Sequence, residues 1–172
     1  LDLGSADLGG ALAVVDNVIT GNEAVNDGVQ GGFGGGIRLL FSDSVIEGNL
    51  ITGNDASLDG PEEGCDGGGL AAVFGAPEII DNQIIDNVAG DGGGIWLAKS
   101  DALVFNNVVA GNLARDQGSD GDHDGGQGGG INLQVATDLT LVSNNLIVDN
   151  EADAIGGGIV VYEFNDAFGN GT

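Results

Sequence analysis

Asparagines recur in this chain in pairs five residues apart: Asn17 and Asn22, Asn49 and Asn54, Asn82 and Asn87, Asn107 and Asn112, Asn145 and Asn150. Two residues after the second asparagine there is always an alanine: Ala24, Ala56, Ala89, Ala114 and Ala152. Three residues before the first stands Val14, Ile46, Ile79, Val104 or Val142, and two after it Ile19, Ile51, Ile84, Val109 or Ile147. From the second copy onward, a glycine triplet opens the unit, before Ile37, Leu70, Ile95, Ile131 and, in a last partial copy, Ile159. A unit of about 25 residues that small cannot bury its own apolar positions, so copies must stack on one another.

The apolar runs are too short and too rich in glycine for helices. After each triplet, alternation sets Ile37 and Leu39 on one face and Arg38 and Leu40 on the other, as a strand does. The pattern fades by Lys99 and Glu163, so the strand is expected to end before them. With three short strands and three turns per unit, the expected fold is all-β: a parallel β-helix of about six rungs, roughly 29 Å tall. Residues 1–172 read as one such domain.

An inward asparagine at a tight turn can bond the turn backbone and the amide one rung away. The ten recurrent asparagines are therefore expected to form stacked ladders. Breaking one would leave buried groups unpaired, at a cost of about 1–3 kcal/mol.

Composition narrows the function classes. Thirty-five glycines without a Gly-X-Y period exclude collagen, and a hydrophobic fraction of 41% excludes a disordered acidic tail. A net charge of −24 repels nucleic acid and anionic lipid while attracting divalent cations, or it keeps a secreted or salt-adapted protein soluble. Cys65 is the only cysteine, which rules out an intramolecular disulfide and places a thiol in a loop. No run is long and apolar enough to span a membrane. Leu1 is neither an initiator methionine nor the start of a signal peptide, so a mature chain or a segment of a longer one is expected.

The Gly-Gly-Gly-Ile/Leu starts and the Asn-x-Ile/Val-x-x-Asn turns resemble the right-handed parallel β-helix repeat proteins of the pectate-lyase-like superfamily. Bacterial surface and autotransporter-like members, among them the chlamydial polymorphic outer-membrane proteins, are similar in look. The Phe-x-x-Asn tetrapeptide of that last group is missing here. The resemblance covers nearly the whole chain and implies the fold. It leaves function open, because the superfamily holds lyases, hydrolases, adhesins and structural proteins. It also implies that an active cleft, where there is one, lies on the outward face of the glycine-led strand.

Insertions are expected only between the alanine and the next triplet, which puts the acidic stretches 55–66 and 113–127 on one edge. The second holds Asp120-Gly121-Asp122-His123-Asp124, whose alternating carboxylates suit a hard cation. A calcium site is expected at Asp116, Asp120, Asp122 and Asp124, with Asp59, Glu62, Glu63 or Asp66 available to complete it. Neither an EF-hand nor an RTX roll is matched, and a solvated acidic loop accounts equally for the pattern. His123 reads as a solvated loop residue.

The outward face of the glycine-led strand carries Arg38, Trp96, Asn132, Gln134 and Tyr162 among apolar neighbours. With Trp96 and Tyr162 exposed it would suit a glycan or a packing partner. No carboxylate stands on that face, whereas a glycoside hydrolase needs a pair. Asp86 and Asp149 share a repeat position about 9.6 Å apart, but each precedes a ladder asparagine, so a turn role is simpler. A lyase would need a base beside a metal, and Arg38, Lys99 and Arg115 are scattered over different rungs. Asn170-Gly171-Thr172 matches a glycosylation sequon.

No catalytic residue is therefore assigned. The reading is a non-catalytic structural solenoid, extracellular or on a cell surface: an adhesin segment or filament subunit, stiffened by calcium. Its partners would be further rungs or other copies stacked end to end, or surface glycans, and not nucleic acid. A carbohydrate-binding module or a polysaccharide lyase or hydrolase is the alternative.

Overall fold

The computed structural model describes residues 12–25, 32–56, 65–115, 125–134 and 139–162. All regular structure in it is strand, arranged as parallel sheets that run along the stack. The glycine-led sheet consists of Ile37–Leu40, Leu70–Val73, Ile95–Ala98, Ile131–Gln134 and Ile159–Tyr162. A second sheet holds Ala13–Val15, Val45–Glu47, Glu78–Ile80, Leu103–Phe105 and Leu141–Ser143. A third holds Val18–Thr20, Leu50–Thr52, Gln83–Ile85, Val108–Ala110 and Leu146–Val148. Each strand pairs with the equivalent strand of the next unit, in the register that the repeat specifies: Ile95 opposite Leu70 and Ile131, Val104 opposite Ile79 and Val142, Val109 opposite Ile84 and Ile147. Six units are represented, the first by its second and third strands and the last by its glycine-led strand.

The structure adds a fourth side. Val88–Ala89, Leu113–Ala114 and Glu151–Ala152 form a short sheet, continued by bridges from Val88 to Asp55 and from Asp55 to Glu23. Two-residue strands carry too little alternation to be read from sequence. They explain the recurrent alanine, however: Ala56, Ala89 and Ala114 are wholly buried where each turn closes.

The core is a column of Leu70, Ile95 and Ile131 facing Ile46, Ile79 and Val104 and Ile51, Ile84 and Val109, all wholly buried. Backbones cross closely where the glycine triplets lie, and the triplets answer that crossing. In the triplet Gly92–Gly94, Gly92 takes φ +59, where a side chain is strained. A Cβ on Gly93 would lie 2.5 Å from the Leu113 backbone, and one on Gly94 would lie 3.0 Å from the Asn112 amide nitrogen. The glycine-led strand thus starts with its backbone against the ladder and the fourth sheet.

Both asparagine ladders form. Asn49 donates its backbone N–H and its Nδ2 to Asn82 Oδ1 at 2.9 and 3.0 Å, and Asn82 does the same to Asn107 at 2.9 and 3.0 Å. The parallel column runs Asn22, Asn54, Asn87, Asn112 and Asn150. From the second rung onward, each Nδ2 also caps an interior carbonyl of the preceding rung, as Asn107 does at Ile79 (2.8 Å). The residue before every ladder asparagine is Gly, Asp or Asn at φ between +53 and +65, the corner that aims the amide inward. Asp86 and Asp149 are two of these corner residues, which places them in turns.

One expectation on insertions is corrected. Leu103 follows Ile95 by eight residues, but its register partner Leu141 follows Ile131 by ten. The register therefore admits two extra residues between the glycine-led and second strands, a site other than the alanine-to-triplet link.

Candidate functional site

The outward side of the glycine-led sheet is not the exposed strip expected from alternation. Trp96 is only 6% exposed, Asn132 is 1% exposed, and Ala71, Ala98 and Val160 are buried. Trp96 packs with Ala71 and Ala98, and its indole lies 5.7 Å from the Phe33 ring, tilted by 42°. Phe33 belongs to the unit two before that of Trp96, and the small Ala71 between them leaves room for the indole. Alternation identifies which side of a strand a residue takes, but it does not say whether that side is covered. Trp96 therefore presents no free ring to a sugar. Arg38 is exposed and its guanidinium stands 5.0 Å from the Phe33 ring centre. Gln134 and Tyr162 are half-buried, and the Tyr162 hydroxyl pairs with Gln127 Oε1.

Beside this cluster the structure assembles a group that the sequence reading did not pair. The residues just before the triplets align as a column: Asp66 bridges Asp91, Asp91 bridges Gln127, and Gln127 bridges Ile155. Phe33 precedes them, with Gly34 N–H donating to Asp66 O (2.9 Å) and Asp66 N–H donating to Gly32 O (3.1 Å). Two aspartates thus stand on successive rungs, whose backbones lie about 4.8 Å apart. Burial between Phe33 and the next rung, and then the charge of Asp91, push the Asp66 carboxyl up to about 8. Burial raises Asp91 to about 6, opposed by the Gln127 N–H that donates to its Oδ1 at 3.0 Å. At neutral pH the pair is a carboxylic acid beside a carboxylate. That difference in protonation is what acid–base chemistry requires. The signal that finds the pair in sequence is the position preceding each triplet: Phe33, Asp66, Asp91, Gln127, Ile155.

Two further polar atoms stand on the adjoining glycine-led sheet. Trp96 and Asn132 are register partners, and among the described residues Trp96 Nε1 and Asn132 Oδ1 are buried without a hydrogen-bond partner. Asn132 Nδ2 reaches Gln127 O at 3.4 Å. One is a donor and the other an acceptor.

The expected calcium ligands Asp116, Asp120, Asp122 and Asp124 lie outside the described residues, as do His123, Asp59, Glu62 and Glu63. Among the described residues no cluster of three or more His, Cys, Asp or Glu could hold a metal ion. Asp66 stacks on Asp91 within the column. Cys65, expected in a loop, is 4% exposed and its carbonyl accepts from Gly90 N–H at 2.6 Å. No helix among the described residues is long and apolar enough to cross a membrane. The sequon at Asn170 also falls outside them.

Comparison with curated proteins and with solved structures returns no match. Residues 6–170 do match the family described as the right-handed β-helix region. With parallel strands, stacked asparagines and a family match over nearly its whole length, the chain belongs to the right-handed β-helix family.

Proposed function

We propose that the chain is a non-catalytic structural β-solenoid, a stiff stack of rungs that serves outside the cell or at its surface. One observation carries the reading: the face that would hold an active cleft is closed by Trp96, Phe33, Ala71 and Asn132. The repeated polar side chains are meanwhile spent on ladders that run through the stack. The placement outside the cell rests on the resemblance to surface β-helices. The test is a screen of the purified chain against polygalacturonate and other polysaccharides, following bond cleavage and saturable binding. Neither is expected; turnover would overturn the reading.

A second reading, acid–base action on a polysaccharide, is favoured by the Asp66–Asp91 pair, whose protonation states differ at neutral pH. That reading demands cleavage that disappears in both Asp66→Asn and Asp91→Asn.

A further inference from the structure

We infer that a buried water molecule sits between Trp96 and Asn132 on the outward side of the glycine-led sheet. It accepts from the indole N–H and donates to the Asn132 carboxamide oxygen. The inference goes beyond both functional readings and depends on neither.

It begins with the column that these residues occupy. Arg38, Ala71, Trp96, Asn132 and Val160 take one register position on successive rungs. Arg38 is exposed, whereas the others are buried. Ala71 and Val160 show that an apolar side chain serves this position on neighbouring rungs. Trp96 and Asn132 instead bring a donor and an acceptor to it. Among the described residues, Nε1 and Oδ1 have no hydrogen-bond partner, each other included. An unpaired buried donor and acceptor on adjoining rungs are costly, because unfolding gives both back to water.

The backbone brings the two side chains out side by side. Their strands run parallel, about 4.8 Å apart. Trp96 Cβ lies 2.8 Å from a Cβ added to Gly92, and Asn132 Cβ lies 2.8 Å from one added to Gly128. Each side chain thus leaves the sheet over the first glycine of its own triplet, one rung from the other. Asn132 Nδ2 reaches Gln127 O at 3.4 Å, which leaves the oxygen as the unpaired end of the carboxamide. A guest making two hydrogen bonds of about 2.9 Å spans about 4–6 Å between its partners.

Chemistry selects the guest. It must accept from an N–H and donate to a carbonyl oxygen, so it carries a hydroxyl. A cation is repelled by the indole N–H, and an anion by Oδ1. With Trp96 6% and Asn132 1% exposed, the guest is the smallest such molecule, water, which two to four polar partners hold. It joins two successive rungs on the outer side of the sheet, as the asparagine ladders join them within.

The chain has a single tryptophan, so its indole N–H gives one NMR signal. The experiment measures cross-relaxation between that proton and water in the full chain, in the laboratory and rotating frames. A bound water gives effects of opposite sign in the two, whereas proton exchange gives the same sign in both. Opposite signs are expected. Asn132→Leu removes the oxygen and keeps a branched side chain; it should abolish the water contact and move the indole signal upfield. The wild-type spectrum decides by itself where that variant does not fold. Absence of the contact in wild type, or its persistence in folded Asn132→Leu, would overturn the inference. Native mass spectrometry of the dialysed chain separates water from an organic hydroxyl: the bare chain mass is expected, and a retained organic molecule would overturn the assignment to water.

Discussion

A ladder asparagine is worth more than one hydrogen bond because it serves several rungs at once. Asn107 donates its N–H and Nδ2 to Asn145 Oδ1 (2.8 and 3.0 Å) and its Nδ2 also to Ile79 O (2.8 Å). Its own Oδ1 accepts from Asn82 N–H and Nδ2. Asn107→Ala strands buried groups on both neighbours, each costing about 1–3 kcal/mol. In a chain of this size every 1 kcal/mol is about 2–4 °C in Tm. Asn22→Ala removes an exposed carboxamide at the end of the column and should cost much less. Calorimetry giving equal shifts for the two would refute the ladder as a source of stability.

Asp66 makes a second residue-scale prediction. Its folded carboxyl is raised from 3.8 to about 8, so between those values the folded chain holds a proton that the unfolded chain has released. Stability must fall as pH rises through that window. The global negative charge adds a slope of its own, so the informative quantity is the difference from Asp66→Asn. The variant should melt close to wild type near the low end of the window and above it near the high end. A constant difference across the window would mean that Asp66 is not the group being titrated.

At the scale of the element, the glycines separate into those that give conformation and those that give space. Gly21 has φ +65 and nothing within 4 Å of an added Cβ, so Gly21→Ala carries only backbone strain, about 1–2 kcal/mol. Gly93 has no such freedom: the methyl of Gly93→Ala would enter the Leu113 backbone at 2.5 Å. That variant should fail to fold, or lose far more Tm than Gly21→Ala in parallel melts; comparable melts would contradict the tight crossing. The element scale also shows what could be read in advance. Ile79, Val104 and the ladder asparagines were legible because five copies vote on each position. The closure over Trp96 was not, because it depends on Phe33 two units away and on the small Ala71 between them. Asp66 is legible as an acidic-loop residue, but its pairing with Asp91 is not, because the stretches before their triplets differ in length and composition. Only alignment on the triplet itself brings them together.

For the whole molecule, a stack in which each rung touches only its neighbours opens from its ends. The middle rungs hold wholly buried Ile79, Ile84, Val104 and Val109, whereas their equivalents Val14 and Ile19 toward one end and Val142 and Ile147 toward the other are only partly buried. Native-state hydrogen exchange of the dilute protein should therefore be slowest at strand amides around Asn82 and Asn107. It should quicken in steps toward Val18–Thr20 and Leu146–Val148. Protection equal along the whole chain would mean that the rungs open as one unit rather than from the ends.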